Sequence, residues 1–549
     1  MKDSIQKDIQ EAIIARQQSG DWPVFDIPPL PIDLPELPEH GDFASNIAMQ
    51  LARVLKKPPL MIAEELKQHL LAGDSAYADI QVAPPGFLNF FLSTQQYAES
   101  LKQILRKKEA YGRSSIGKRK KVLVEFLSAN PTGPLTLPNG RGGYLGDVLS
   151  NILAATGFTV LREYYMNDRG KQVEVLGESV MRRYLQNQGI KVDYADELYQ
   201  GEYISELATK LALKDYKLNH GKKAEWIRQR ITVLALRLMI ADIKRVVEEK
   251  MQIHYDNWFS EKSLYDDGVP EKMLAKLREA GNVYEQNGAL WVRTSAYGDD
   301  KDRVIVKSTG DGAYMQGDIA LFYDRAFRRH VRKVVLILGA DHHGYEHRLK
   351  AVPKLLNADT EFDILFTQMV TLIRDGKEMR MSKRQGNFVT IEELIDEVGN
   401  DAARFFFLLY SANSHMNFDL GLAKEQSDKN PVYYVQYAHA RMCSILREVG
   451  QLGAPPLKGL LVEHAAEKAL LKELMVLPEL LKDIARTYEV HRLPTYALDL
   501  ARSFHHFYGQ CRVIDNGEVQ VTRYALVVAT QTVLHSVLKL LGVSAPEKM

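Results

Sequence analysis

Two stretches of this chain carry residues suited to phosphate chemistry. The first runs VLVEFLSANPTGPLTLPNGRGGYLGD from Val122 to Asp147. Val122 to Phe126 is an apolar, β-branched run of the kind that forms a buried strand, and Pro131, Gly133 and Pro134 forbid its continuation. Gly140, Gly142 and Gly143 open a segment in which Leu145, Val148, Leu149 and Leu153 recur at helical spacing. Strand, tight turn and helix leave free N–H groups at the positive end of a helix, where a phosphate can sit. The stretch fits neither GxGxxG nor Walker A, and glycine-rich turns also serve plain packing. The second stretch is Arg380-Met381-Ser382-Lys383-Arg384, followed by Gln385-Gly386-Asn387. A lysine beside glycine suits neutralising a polyphosphate as charge develops on it.

A third constellation, Gly339-Ala340-Asp341-His342-His343-Gly344, directly follows the apolar run Lys333–Leu338. Polar residues at the carboxyl end of such a strand usually face a ligand. Asp341, His343 and His347 also allow a metal reading, with two histidines four apart, although no third-ligand cluster accompanies them.

The elements that must hold these groups follow from periodicity. Phe158–Tyr165 reads as a second strand after the glycine-rich helix, so the unit is a right-handed parallel crossover. Residues 180–300 read as a helix-rich insertion, with Ile227, Ile231, Leu234 and Leu238 as a core stripe and a hairpin at Asn287-Gly288. From Arg303 the parallel pattern is expected to resume with RVIVKS, Tyr314–Asp318 and Lys333–Leu338. Arg325, Arg328, Arg329, Arg332 and Lys333 read as a solvated basic cluster, and Ile391–Phe407 as one amphipathic helix. After Phe418 almost every segment has helical spacing, with Pro478 marking a kink or restart. At the other end, residues 1–18 read as a helix, six prolines between Trp22 and Pro38 as an extended connector, Asp42–Leu71 as helical, and Ile80–Leu92 as strands about a Pro-Pro-Gly turn. The fold class expected is α/β: a Rossmann-like parallel-sheet catalytic domain, a small N-terminal α+β domain and an all-α C-terminal bundle.

Composition bounds the function. The 549 residues suffice for three or four domains, and the net charge of +1 means that a nucleic acid would be held by local patches. Gly117–Lys121 is one such basic run, read as a solvated edge or a backbone contact. Two cysteines exclude a disulfide framework or a cysteine zinc site. The N-terminus lacks the continuous apolar core of a signal peptide, and no stretch has the uninterrupted apolar run of a membrane span. A cytoplasmic protein is expected, without a membrane partner.

VEFLSANPTGPL, REYYMNDRGKQ, LGADHHGYEHRL, MSKRQGNF and NPVYYVQYAHAR, in this order and over nearly the whole chain, resemble the arginyl-tRNA synthetases, a class I aminoacyl-tRNA synthetase family. The resemblance implies a ligase that activates L-arginine with ATP, as its Mg²⁺ complex, and transfers arginyl to the 3′ end of tRNA(Arg). It implies no structural metal, and a monomer is expected. ATP would be held by Pro134, Gly140, Gly142, Gly339, Asp341, His342, His343, Met381, Ser382 and Lys383. Arginine would be held by Glu125, Ser128, Asn130, Tyr314, Asp318 and His342, with Tyr314 and Asp318 on the guanidinium, because only carboxylates in a planar arrangement distinguish that fork from lysine. Glu125 and Asp318 are expected at strand ends. The tRNA would touch Phe87, Asn89, Tyr433, Gln436 and Tyr437, although Phe87 and Asn89 also suit a strand core and a turn. The implied domains are an N-terminal tRNA-contacting unit (1–112), the catalytic domain (113–375), the MSK loop and stem-contact region (376–417) and an anticodon-binding bundle (418–549).

One departure stands out. Where the family carries a HIGH-type motif with a histidine at each end, this chain has Thr136-Leu137-Pro138-Asn139. Thr136, Asn139 and Arg141 are the candidates to replace the lost donors, beside Lys383. The competing readings are a catalytically silent relative that binds tRNA or arginine as a regulator, and an enzyme that loads arginine onto another acceptor. Leu321-Phe322 likewise replaces the Tyr-His usual in the family.

Overall fold

The computed structural model describes all residues except 36, 73–75, 212–222, 380–389 and 451–452. Met381, Ser382 and Lys383 therefore lie outside the described residues.

The N-terminal unit contains α1 (Lys2–Gln18), β1 (Phe43–Ser45), α2 (Ile47–Leu55), α3 (Pro59–Leu71), β2 (Tyr77–Ala83) and β3 (Phe87–Leu92), and α4 (Thr94–Lys107) leads out of it. Its antiparallel sheet has the order β1-β3-β2. Ile5, Ile9 and Ile13, at spacings of four, bury one face of α1. The segment expected to be helical from Asp42 instead begins with the short strand β1, which pairs with β3.

The catalytic unit is built on β4 (Lys121–Glu125), α5 (Leu137–Ala155) and β5 (Thr159–Met166), followed by α6 (Lys171–Asn187), α7 (Glu202–Lys210) and α8 (Lys223–Arg245). Next come β6 (Asn257–Ser260), α9 (Glu261–Asp266), α10 (Val269–Glu279), β7 (Val283–Gln286), β8 (Ala289–Val292), β9 (Arg303–Val306) and α11 (Tyr314–Tyr323). β10 (Lys333–Gly339), α12 (Glu346–Leu355) and β11 (Glu361–Thr367) complete a five-stranded parallel sheet of order β11-β10-β4-β5-β6. The helix α5 lies against it closely: a Cβ on Gly146 would fall 2.1 Å from Phe126 Cγ, so only glycine permits this approach.

The strand order reverses between β4 and β10, and the crevice position beyond their carboxyl ends is where ligands of such sheets bind. β6, the edge strand, lies inside the stretch read as a helix-rich insertion; four residues are too few to show a period. RVIVKS does not join the parallel sheet. β9 pairs antiparallel with β8, in a separate sheet of order β7-β8-β9. Residues 314–318 are helical, so Asp318 sits on α11 and not at a strand end.

Beyond the sheet lie β12 (Val370–Arg374), β13 (Lys377–Glu378), α13 (Ile391–Val398), α14 (Asn400–Leu408), β14 (Met416–Asp419) and α15 (Leu420–Lys424). The expected single helix from Ile391 is two, because Gly399 stands at φ 82°, a left-handed conformation that breaks the helix. The C-terminal bundle comprises α16 (Pro431–Val449), α17 (Ala465–Thr487), α18 (Arg492–Gln510), a hairpin of β15 (Ile514–Asp515) and β16 (Glu518–Val519), and α19 (Val521–Leu541). α17 runs through Pro478 without interruption. α19 is long and apolar enough to cross a membrane by length and composition, and 67% of its most apolar window is buried within the bundle.

Candidate active site

The helix α5 begins at the crevice. Thr136 is its N-cap, and the Asn139 Oδ1 accepts hydrogen bonds from the Thr136 backbone N (2.9 Å) and from Thr136 Oγ (2.8 Å). Pro138 falls in the first turn, where a missing N–H costs nothing. The two residues standing in for the histidines thus hold each other. The Thr136 hydroxyl proton is spent on Asn139, and among the described residues the Asn139 Nδ2 has no partner. Thr136 also forms an isolated antiparallel bridge with Thr390, and Ile391 N donates to Leu135 O at 3.0 Å. Thr390 and Ile391 therefore lie against the start of α5, Thr390 being 254 positions from Thr136 in sequence. Gly140 serves that junction: its Cβ would lie 2.4 Å from Ile391 Cδ1. Gly142 faces the ends of β10 and β11, where a Cβ would meet Ile337 and Thr367 in ordinary contact at 4.0 Å.

Across the crevice, β10 ends at Gly339 and a 3₁₀ turn covers Ala340–Tyr345. Asp341, His342 and His343 are exposed there. The His343 ring stacks on Phe366 of β11, with centroids 4.0 Å apart. Among the described residues no group of three or more His, Cys, Asp or Glu side chains is placed to hold a metal.

A buried ion network anchors α11 to the sheet. Arg325, just beyond α11, donates to Glu163 from Nε (3.0 Å) and Nη2 (2.7 Å) and also binds Glu125. Glu125 and Glu163 are register partners on β4 and β5, so one guanidinium spans two strands. Arg329 pairs with Glu163 and Asp324. Arg325 is 2% exposed, so this part of the supposed solvated cluster is buried. Glu125 is taken up by Arg325, which places it in the wall of the crevice more than in direct reach of a ligand.

Two turns before Arg325 on the same face, Asp318 looks into an acidic recess. Burial, together with the negative charges of Glu261 and Glu125, lifts its carboxyl to about 7, against the pull of Arg348. Glu261, the first residue after β6, is also raised by burial. Both Glu261 and Tyr265 approach Gly317, the residue before Asp318: a Cβ there would meet Glu261 Oε1 and Tyr265 Oη in ordinary contact at 3.6 Å. Among the described residues neither Asp318 nor Glu261 has an ion pair. The buried Nε of Arg348 has no hydrogen-bond partner either. Glu261 escapes a reading of the sequence because β6 does; a carboxylate directly after Asn257-Trp258-Phe259-Ser260 is the available signal.

Two nominated residues, Arg141 and Tyr314, point elsewhere. Arg141 is 2% exposed and donates to the carbonyls of Gln368 (2.9 Å) and Ser411 (2.7 Å). Burial lowers its pKa to about 10. It ties α5 to the neighbouring loops and supplies no charge to a phosphate. Tyr314, at the start of α11, is 93% exposed and outside the recess. Ser128 Oγ accepts from Tyr165 N at 3.1 Å, and Asn130, exposed at the crevice edge, donates to Gln172 at 2.8 Å. Pro134 is half-buried in the turn before α5.

Of the residues nominated for tRNA, Gln436 holds Asp401 (2.8 Å) and Ser544 Oγ (2.9 Å), and so clamps the C-terminal tail. Asn89 is 5% exposed on β3, which removes it from a surface contact, and Phe87 is half-buried. Tyr433 and Tyr437 stack one turn apart on α16, and Tyr437 stacks in turn on His505. A cavity of about 1100 Å³, with Asp147, Arg404, Asn400 and Tyr433 in its walls, lies elsewhere and includes none of the residues nominated for ATP or arginine.

Comparison with known proteins gives this geometry its context. The family model "tRNA synthetases class I (R), catalytic domain" matches residues 100–408, "Arginyl tRNA synthetase N terminal domain" residues 2–92, and "DALR anticodon binding domain" residues 435–549. The chain is 44% identical to arginine–tRNA ligase 1 of Halalkalibacterium halodurans, over 98% of each chain. It is 41% identical to the arginine–tRNA ligase of Citrifermentans bemidjiense, over 100% of each. A solved structure described as a putative arginyl-tRNA synthetase from Campylobacter jejuni aligns with a TM-score of 0.76 at 32% identity, covering 83% of this chain and 100% of that one. A parallel sheet with its crevice at the strand-order reversal, a phosphate-type helix start and full-length similarity agree: this chain belongs to the arginyl-tRNA synthetase family of class I aminoacyl-tRNA synthetases.

Proposed function

We propose that the chain is a working arginine–tRNA ligase whose adenylate site operates without the two histidines. The observation that carries this reading is the acidic recess. Asp318 and Glu261 are desolvated, lack ion-pair partners among the described residues and stand at the carboxyl end of the sheet. Such a site favours a cation, and a guanidinium can satisfy two carboxylates at once.

The substrate's side chain enters the recess, and its α-carboxylate lies toward Ser128 and Asn130. ATP, as its Mg²⁺ complex, lies across the crevice, with its phosphates at the start of α5 and its base toward Gly339–His343. The arginine carboxylate attacks the α-phosphorus, pyrophosphate leaves, and the terminal ribose of tRNA(Arg) then takes the arginyl group. No protein nucleophile is needed, because positioning and charge stabilisation carry the rate. Asn139 Nδ2 is the free donor at the helix start, and Lys383, arriving on the segment that ends at Thr390, neutralises the departing polyphosphate. Tyr433 and Tyr437 offer stacking surfaces to unpaired bases. We place the enzyme in the cytoplasm.

The test is charging of tRNA(Arg) with labelled arginine and Mg-ATP, with Lys383→Ala as control and lysine as competitor. Charging that depends on Lys383 and resists lysine supports the reading. tRNA binding without charging would reassign the chain to a silent, binding relative.

A further inference from the structure

The acidic recess already faces a guanidinium of the protein's own. Asp168, at the end of β5, is clamped onto the start of α9: its Oδ2 accepts from Ser260 Oγ at 2.5 Å and its Oδ1 from Lys262 N at 2.9 Å. This clamp sets the direction of the next residue, Arg169. Its Cζ lies 3.4 Å from the centroid of the Tyr265 ring. Tyr265 and Glu261 converge on Gly317, the residue before Asp318. Arg169 itself is exposed. Gly170 follows it at φ 85°.

We propose that Arg169 is a resident guanidinium at the mouth of the acidic recess, which the side chain of the substrate arginine must displace before it can reach Asp318 and Glu261. The proposal rests on the recess being the arginine site. A cation stacked on an aromatic ring at an exposed position is worth about 0.5–1 kcal/mol, enough to hold the place without locking it. The Arg169 charge also pulls against the burial that raises the Glu261 carboxyl. An incoming guanidinium therefore meets like charge at the entrance, and the binding-competent fraction of sites is reduced, which raises the apparent dissociation constant in proportion. A purely structural arginine would act in the opposite direction, since its loss would loosen the wall of the recess and weaken binding.

Binding of labelled L-arginine is measured by equilibrium dialysis in the presence of tRNA(Arg). Arg169→Gln is expected to bind arginine about two- to five-fold more tightly than wild type. Its KM for arginine in charging should fall to match, with kcat unchanged. Arg169→Lys, which keeps the charge, should stay near wild type. Unchanged or weaker binding by Arg169→Gln overturns the proposal. Asp318→Asn separates the two levels: if it binds arginine as wild type does, the recess is not the arginine site and the proposal falls with that reading; if it loses binding while Arg169→Gln fails to tighten it, only the role of Arg169 falls.

Discussion

Thr136 and Thr390 pair across an isolated antiparallel bridge, which joins the cap of α5 to the residue just after the MSK stretch. Lys383 is seven positions from Thr390 in sequence. Lys383→Ala should slow adenylate formation, read as pyrophosphate exchange in the presence of tRNA(Arg), by about 10²–10³-fold, the usual loss for one positioned charge donor. Binding of tRNA should change far less, and equal losses in both would show that the lysine does not act on the polyphosphate.

Asp318 should make arginine recognition dependent on pH. Its carboxyl titrates near 7 in the ligand-free protein. A guanidinium pairs with the ionised form, so binding releases a proton and apparent affinity should fall as pH drops below about 7. The sign for stability is the reverse of the usual carboxylate. Between its ordinary value and 7 the folded chain holds a proton that the unfolded chain has lost, so this group costs stability increasingly as pH rises through that window. Asp318→Asn should therefore melt near wild type at pH 5 and above it at pH 8, while losing arginine binding at both. Thermal melts and dialysis at the two pH values decide this.

Arg141 separates a structural role from a catalytic one. Its two bonds to the Gln368 and Ser411 carbonyls are those of a buried charged donor, each worth about 1.5–3 kcal/mol. Arg141→Met should lower the melting temperature and leave the KM for ATP of the folded fraction unchanged. A raised KM for ATP at unaltered stability would restore the phosphate role.

The network about Glu163 should be costly to break from one side. Glu163 is fully buried, and Arg325 and Arg329 hold its carboxyl below the usual range despite its burial. Glu163→Leu leaves two arginines without their shared partner and should cost about 3–5 kcal/mol, measured by urea unfolding. Because this carboxyl is depressed, its contribution is present above the ordinary glutamate value and is lost as pH falls through the lowered one. Wild type and Glu163→Leu should therefore converge in strong acid.

Long periodic segments are legible directly. Val122–Phe126, Phe158–Tyr165, Lys333–Leu338 and the C-terminal helices all stand where their apolar spacing puts them, because burial of one face is written into local order. The helix expected after the glycines begins earlier, at Leu137, and takes Gly140, Gly142 and Gly143 into its first turns. β6 is not legible because four residues carry no period, and Arg303–Val306 falls in a different sheet from the one expected because strand spacing does not name a partner. The break at Gly399 is legible in principle, since glycine alone accepts that φ without strain.

The sequence by itself determined the family, the strands β4, β5 and β10 and the absence of histidines at 136 and 139, since these depend on residue types at short range. Only the tertiary structure decided which charges meet. It buried Arg325, which reads as solvated in the sequence, and Arg141, which reads as a phosphate donor, turned Tyr314 outward, consumed Gln436 in a clamp on the tail and brought Glu261 to Asp318 across 57 positions. The physical reason is that the cost of a charge is set by its distance from water and from other charges. Those distances exist only once the strands have paired.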